Sequence, residues 1–200
     1  MDYRLSPEHR FPAAIDDCVA AYQYLLDQGF PASSIVFAGD SCGGCLSTAV
    51  PLACIQRNLP VPAASVALSP CYDVSTVDGG TMDSNEEVDV LNAKPFCKKL
   101  SDRYVEGTGV PKTNPLVSPL FMEDKDVARL PPHWISAAGY DMLCDHGEKM
   151  REKLSRNGVE VELKVHPRQQ HVFEFAVGNS KEADASARDI GEWIRRRIGS

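Results

Sequence analysis

Apolar and polar residues follow one another along this chain in two spacings, one typical of α-helices and one typical of β-strands. Outside one polar stretch, segments with the two spacings alternate from the first residues to the last. Short apolar or alternating runs bounded by turn residues predict strands at 35–38, 64–68, 134–138 and 159–165. Apolar residues that recur every three or four positions predict helices at 12–28, 43–57, 144–157 and from Ser180 onward.

Strands that alternate with helices predict an α/β fold, in which a mostly parallel sheet is covered by helices on both faces of a single domain spanning 1–200. Catalytic loops in such sheets lie at the carboxyl ends of the strands. Pro51 is expected to kink or divide the second helix, because proline lacks the amide that a helix interior requires. Residues 72–116 are polar, apart from a helix predicted at about 94–104. We interpret this stretch as an insertion that either covers a binding site or is a solvated loop without a role.

The composition limits the kinds of partner that the chain is expected to bind. It has 200 residues, a formal net charge of -7 and 43% hydrophobic residues, which is an ordinary globular balance. Negative charge spread along the chain repels phosphate, so neither nucleic acid nor an anionic membrane is an expected partner. Seven cysteines at irregular spacing argue against a secreted disulfide framework and favour a reducing, cytoplasmic setting. No apolar run approaches the length of a membrane span, and no basic start followed by an apolar stretch indicates a signal peptide.

One turn carries the strongest chemical signal. The stretch Gly39-Asp40-Ser41-Cys42-Gly43-Gly44 matches G-x-S-x-G between a predicted strand and a predicted helix. The chain reverses sharply there, which leaves the serine strained and its hydroxyl exposed, while small residues two positions to either side let strand and helix approach. Ser41 is therefore the candidate nucleophile. The amide of Cys42, at the start of the helix, is the candidate oxyanion donor.

A serine nucleophile needs a base, and the base needs a partner that fixes its tautomer. His171 lies in the loop after the last predicted strand, and Asp141 directly follows the third, so both are expected at the catalytic edge of the sheet. We therefore predict that Ser41, Asp141 and His171 form a catalytic triad. His166 is the nearest rival base, and Asp145, within a predicted helix, is the rival acid. No metal-ligand spacing or glycine-rich phosphate loop occurs in the sequence, so neither a metal nor a cofactor is expected.

Cys42-Gly43-Gly44-Cys45 offers an alternative of a different class. A C-x-x-C pair at a helix start typically has a lowered thiol pKa and is similar to thioredoxin-like redox sites. Both thiols can instead be explained as small packing residues, which makes the redox interpretation a remote one. The serine interpretation gains support from Asp141 and His171 elsewhere in the chain, whereas the redox interpretation gains none.

Taken together, the motifs resemble the hormone-sensitive-lipase-like branch of the α/β-hydrolases. The matching pieces occur in family order along nearly the whole chain and are Asp2-Tyr3-Arg4-Leu5-Ser6-Pro7-Glu8-His9, Phe11-Pro12-Ala13-Ala14, Gly39-Asp40-Ser41-Cys42-Gly43-Gly44, Leu68-Ser69-Pro70, Ser118-Pro119-Leu120-Phe121, Leu130-Pro131-Pro132, Ala138-Gly139-Tyr140-Asp141-Met142-Leu143-Cys144-Asp145 and the His171 loop. The resemblance implies an α/β-hydrolase fold with Ser41, Asp141 and His171 as nucleophile, acid and base. It also implies hydrolysis of small-molecule esters, mostly with short or medium acyl chains, without a cofactor.

The chain departs from the family pattern at its start. Family members carry a His-Gly-Gly segment ahead of the Asp2-Tyr3-Arg4 motif, whose amides form most of the oxyanion hole, and this sequence begins after that segment. The isolated chain is expected to be a weak catalyst, because loss of an oxyanion donor lowers turnover by about 10²–10³-fold. The fold is also expected to be incomplete, with its N-terminal strands missing and the nucleophile strand lacking a neighbour on one side. A partner chain or a second copy of the chain is an expected means of covering that side.

Single residues depart from the family pattern as well. Val172 follows His171 where glycine is usual, Cys42 stands where alanine is common, and Pro51 is unusual in the helix after the nucleophile. A second functional class is therefore a catalytically weak or inactive binding protein on the same fold. The plant gibberellin receptors resemble this family but lack the catalytic histidine, so the presence of His171 favours the esterase.

Overall fold

The computed structural model describes residues 1–90 and 93–199, and residues 91 and 92 of the predicted insertion lie outside the described part. The described residues form one sheet of four parallel strands in the order β1-β2-β3-β4, which is also their order along the chain. The strands are β1 at Val36–Asp40, β2 at Ala64–Leu68, β3 at His133–Ala138 and β4 at Val161–His166. All four strand predictions are confirmed, with ends that differ by at most two residues.

The parallel register brings the carboxyl ends of all four strands to the same edge of the sheet. Gly39 of β1 lies opposite Ala67 of β2, and Ala67 lies opposite Ile135 of β3. The predicted triad residues follow β1, β3 and β4 at this edge. In the described part of the chain, β1 is an outer strand and has a strand neighbour on one side only.

Helices cover both faces of the sheet, as the alternating pattern predicts. They are α1 at Ala13–Asp27, α2 at Cys42–Gln56, α3 at Thr81–Ser84, α4 at Lys94–Val105, α5 at Asp124–Val127, α6 at Cys144–Arg156 and α7 at Lys181–Ile198. On one face, Leu52 of α2 and Met150 of α6 pack with Ile135 of β3, and α1 packs against α2. On the other face, Trp193 of α7 lies beside Trp134 of β3, with ring centroids 6.0 Å apart. None of the described helices is long and apolar enough to cross a bilayer.

Two predicted features outside the sheet are confirmed. A helix, α4, runs from Lys94 to Val105 within the predicted insertion. Ser180 caps α7, because its hydroxyl oxygen accepts a hydrogen bond from the amide of Ala183 at 3.3 Å. Side chains of α4 reach the carboxyl edge of the sheet, where the candidate site lies.

Pro51 lies inside α2 without dividing it, so of the two expected effects, a kink or a division, the division does not occur. A proline at this position has no amide to donate to the carbonyl of Ser47, four residues earlier. The hydroxyl of Ser65 on β2 donates to that carbonyl instead, at 2.7 Å, and both serines are buried. The helix continues because the neighbouring strand supplies the hydrogen bond that proline removes.

Replacing Ser65 by Ala is expected to lower the free energy of unfolding by about 1–3 kcal/mol, the cost of a buried carbonyl left without a donor. Urea denaturation measures this change. In a Pro51→Ala background, the new amide of residue 51 donates to the Ser47 carbonyl, so Ser65→Ala is expected to cost less. An equal loss in the two backgrounds would show that the Ser65 hydroxyl does not replace the missing helix bond.

Candidate active site

Ser41 lies in the sharp turn between the end of β1 and the start of α2. Its backbone has φ 52° and ψ -114°, and a positive φ is uncommon for residues other than glycine. The Ser41 amide donates to the carbonyl of Leu68 at 2.8 Å, and the Ser41 carbonyl accepts from the amides of Cys45 and Cys71 at 3.1 and 3.2 Å. Backbone strain of this kind persists where the surrounding structure enforces it, and it clusters at functional sites.

The glycines around Ser41 have different roles. A Cβ on Gly39 would lie 2.3 Å from the carbonyl oxygen of Gly43, so residue 39 accepts no side chain without a shift of backbone. A Cβ on Gly43 would meet open space, whereas one on Gly44 would lie 3.1 Å from Pro70. The prediction that small residues are needed two positions to either side is therefore confirmed at Gly39 and wrong at Gly43. The close approach on the helix side falls at Gly44 instead.

The amide of Cys42 lies at the N-terminus of α2, directly after Ser41. Cys42 is the first residue of α2, a position whose amide has no carbonyl partner within the helix. The helix dipole adds partial positive charge at this end. This amide therefore stays the candidate oxyanion donor.

Asp141 and His171 are joined by a hydrogen bond at the carboxyl edge of the sheet. Nδ1 of His171 lies 2.7 Å from Oδ2 of Asp141, whose side chain is fully buried. The amide of Leu143 donates to Oδ1 of Asp141 at 2.8 Å and so helps to fix the carboxylate. When Nδ1–H donates to a carboxylate, Nε2 of the imidazole is left to accept a proton.

Ser41 and His171 line the same cavity, which has a volume of about 380 Å³. Within the described residues, no hydrogen bond joins the Ser41 hydroxyl to the imidazole. Such bonds are often long before substrate binds and tighten in the complex. The walls of the cavity are mainly apolar and include Leu46, Phe96 and Leu100. An apolar cavity with a few polar groups is typical of a small-molecule site.

The rival acid and the rival base lie elsewhere. Asp145 forms an ion pair with Lys149 on α6, with the charged atoms 2.7 Å apart. His166 packs its ring on Phe173, with centroids 4.6 Å apart, and burial lowers the pKa of this imidazole. Neither rival is part of the hydrogen-bonded pair described above.

The environment of His171 favours its charged form. Burial lowers the pKa of the imidazole, because a desolvated cation is unfavourable. The hydrogen bond to Asp141 and the negative charges of Asp141, Asp89 and Asp40 outweigh burial and raise the pKa above its ordinary value. His171 therefore has the properties of a base that holds an abstracted proton.

Two further residues, Ser69 and Val172, shape the site. The amide of Val172 donates to the hydroxyl oxygen of Ser69 at 3.0 Å, so the loop after β2 is tied to the loop that carries His171. Val172 is buried and has φ 51°, in the left-handed region. Glycine adopts this conformation freely, whereas a residue other than glycine adopts it at a cost of about 1–3 kcal/mol. The departure from glycine at residue 172 is the sequence feature that points to this strain.

Cys42 and Cys45 lack the properties of a redox pair. All seven cysteines of the chain are free thiols. Desolvation raises the pKa of the buried Cys45 thiol, and it also raises the pKa of Cys42, although solvent reaches that side chain. The lowered thiol pKa that the redox alternative requires is therefore not found, because loss of hydration disfavours the charged thiolate. Among residues 1–90 and 93–199, no group of three or more His, Cys, Asp or Glu side chains is arranged to hold a metal ion.

Known proteins resemble this chain in sequence. A family model described as alpha/beta hydrolase fold matches residues 1–175. The chain is 31% identical over 199 residues to an acetyl-hydrolase from Streptomyces hygroscopicus, and the match covers 100% of this chain and 64% of that protein. It is 34% identical over 203 residues to the carboxylesterase/phospholipase LipF of Mycobacterium tuberculosis, and that match covers 98% of this chain and 52% of the relative.

A solved structure has the same architecture. The crystal structure of a hormone-sensitive lipase from a metagenome library aligns with a TM-score of 0.92 at 38% identity, covering 98% of this chain and 64% of that one. The chain thus spans 64% or less of the length of each of these three relatives. Because the family model matches most of its length and the structural likeness covers nearly all of it, the chain belongs to the hormone-sensitive-lipase-like branch of the alpha/beta hydrolase fold family.

Proposed function

We propose that the chain is a serine carboxylesterase-type hydrolase that cleaves small-molecule esters through Ser41, His171 and Asp141. The observation that carries this proposal is the 2.7 Å bond between Asp141 and His171, at the wall of a cavity that also holds Ser41 in a strained turn. The names of the relatives, an acetyl-hydrolase, a carboxylesterase/phospholipase and a hormone-sensitive lipase, support the same reaction class.

In the acylation step, Nε2 of His171 takes the hydroxyl proton of Ser41 while Oγ attacks the ester carbonyl carbon. The carbonyl electrons move onto oxygen, and the amide of Cys42 hydrogen-bonds the resulting oxyanion. Asp141 holds the proton on Nδ1 and stabilises the imidazolium. As the tetrahedral intermediate collapses, His171 gives its proton to the leaving alcohol, and an ester between the acyl group and Ser41 remains.

Deacylation repeats these steps with water in place of the alcohol. His171 takes a proton from water, whose oxygen attacks the acyl carbon. The second tetrahedral intermediate collapses as the imidazolium returns the proton to Oγ of Ser41, and the carboxylic acid leaves. The proposed cycle uses side chains of this chain and water, so it requires no cofactor.

The apolar cavity is the proposed acyl site. Its volume of about 380 Å³ favours short or medium acyl chains, because ligand pockets span about 300–1,000 Å³. Phe96 and Leu100 of α4 form part of its wall. The insertion predicted at 72–116 is therefore proposed to shape substrate preference through α4.

Hydrolysis of p-nitrophenyl esters with acyl chains of increasing length tests the proposal. The wild-type chain is expected to release p-nitrophenol faster than buffer does. Ser41→Ala is expected to lower kcat by about 10³-fold or more, because binding and the oxyanion donor alone are left. Ser34→Ala, which removes an exposed hydroxyl, is the matched control and is expected to keep the wild-type rate.

Equal rates for the wild type and Ser41→Ala would contradict the serine mechanism. Saturable binding of an ester without hydrolysis would instead favour the alternative of a binding protein on the same fold. If activity is confined to one range of acyl lengths, the longest acyl chain that is hydrolysed shows how long a chain the cavity accommodates.

A further inference from the structure

Residues 81–90 of the predicted insertion lie against the loop that carries Asp141, and we call them the bridging segment. The side-chain amide of Asn85 donates to the carbonyls of Gly139 and Asp141, at 3.0 and 2.9 Å. The hydroxyl of Thr81 donates to the carbonyl of Met142 at 2.9 Å. Side chains of the bridging segment therefore hold the backbone on both sides of the candidate acid.

The bridging segment also holds the loop that carries His171. Gln170, the residue before His171, donates from Nε2 to the carbonyl of Val88 at 2.9 Å. The amide of Val90 donates to Oε1 of the same side chain at 3.1 Å. One short segment thus binds the acid loop and the base loop, which fixes the two loops relative to each other.

Asp89 is the ionisable group of the bridging segment that lies closest to this chemistry. It is buried, and its Oδ2 accepts a hydrogen bond from the amide of Met142, the residue after Asp141, at 2.8 Å. Its negative charge acts on His171, together with the charges of Asp141 and of Asp40 at the end of β1. These three carboxylates come from three different elements of the chain.

We propose that Asp89 is a positioning residue for the triad: its carboxylate fixes the loop that carries Asp141 and places a second buried negative charge near the imidazole of His171. This inference rests on the proposed function, because it assigns Asp89 a role in the same reaction. The physical reason is that His171 becomes a cation in both transition states. A fixed negative charge in a dry site stabilises that cation without rearrangement.

The sign of the effect on titration follows from the charges. Burial lowers the pKa of His171, whereas Asp141, Asp89 and Asp40 raise it. Removing the charge of Asp89 leaves the effect of burial in place and weakens the effect of the negative charges, so the pKa of His171 falls. A carboxylate far from His171 has no such influence once salt screens it.

A histidine titration by NMR tests this directly. The imidazole signal of His171 is assigned from its absence in His171→Asn and is followed against pH in the wild type, Asp89→Asn and Glu87→Gln. Asp89→Asn keeps an oxygen that accepts from the Met142 amide but removes the charge, and its midpoint is expected to fall by about half a pH unit. Glu87→Gln removes an exposed charge two residues away and is expected to leave the midpoint unchanged. Equal midpoints in all three proteins would overturn the proposal.

Kinetics separate this inference from the proposed function. In Asp89→Asn, the acidic limb of the kcat profile is expected to move to lower pH with the NMR midpoint, and kcat at the plateau is expected to fall several-fold with KM unchanged.

If Ser41→Ala hydrolyses esters as fast as the wild type, the proposed function fails, while the NMR titration still reports on Asp89. If Ser41→Ala is inactive and Asp89→Asn changes neither profile nor midpoint, the role of Asp89 alone fails. Should Asp89→Asn not fold, Asp89→Ser, which also removes the charge, is titrated in its place with the same expected fall in the midpoint.

Discussion

Replacing Asp141 by Asn is expected to lower kcat for ester hydrolysis by about 10⁴-fold, because the base is then held in the wrong tautomer. Asp141 is fully buried, and its Oδ2 lies 2.7 Å from Nδ1 of His171. An asparagine amide at that place donates to Nδ1, so the imidazole carries its proton on Nε2. His171 then has no lone pair directed at Ser41. Steady-state kinetics with a p-nitrophenyl ester measure the loss.

Asp145→Asn is the matched control for this variant. Asp145 is the second candidate acid that the sequence offers, and it forms an ion pair with Lys149 on α6. Each of the two variants replaces one aspartate by asparagine and so removes one negative charge, and the two positions are four residues apart. Its kcat is expected to stay close to the wild-type value. Similar losses in the two variants would mean that Asp141 has no special orienting role.

Gly39→Ala is expected to lower the free energy of unfolding by about 3 kcal/mol, at the upper end of the usual cost of overpacking. The new methyl carbon would lie 2.3 Å from the carbonyl oxygen of Gly43, and 2.4 Å from its carbonyl carbon. These are backbone atoms at the start of α2, so no side-chain rotation relieves the clash. A loss of this size removes a large share of the stability of a typical domain, about 5–15 kcal/mol. Urea denaturation measures the change.

Gly43→Ala is the matched control, because it adds the same methyl group on the other side of Ser41. A Cβ there meets open space, and residue 43 lies in the first turn of α2. Alanine favours a helix over glycine by about 1 kcal/mol, so the variant is expected to be as stable as the wild type or more stable. If the two alanine variants lose stability equally, the close approach at Gly39 is not what holds the nucleophile turn.

Much of the fold follows from local pattern. Apolar runs and helical spacing predict the four strands and the main helices, because burial on a parallel sheet imposes those periods on the sequence. The turn at Ser41 is also predictable from local pattern. Where a strand reverses directly into a helix, the two elements approach so closely that residue 39 has little room for a side chain. The order of Ser41, Asp141 and His171 predicts that they meet, because parallel strands bring their carboxyl ends to one edge.

Contacts between distant segments are not predictable from such patterns. Pro51 lies in an unbroken helix because Ser65, on a neighbouring strand, donates to the carbonyl that proline leaves without a partner. The roles of Asp89 and Gln170 likewise depend on which loop each side chain faces, and spacing along the chain does not encode that direction. Burial by the surrounding atoms raises the pKa of the Cys42 thiol, and a C-x-x-C motif does not describe those atoms.

Reaction with a fluorophosphonate, followed by mass spectrometry of the labelled peptides, shows whether His171 activates Ser41 in this chain. This reagent modifies a serine whose hydroxyl is activated by a base. The wild-type chain is expected to gain a single adduct on the peptide that contains Ser41, and His171→Asn is expected to react far more slowly. Label on another residue, no label on the wild type, or equal labelling rates for the wild type and His171→Asn would show that Ser41 and His171 do not act together as nucleophile and base.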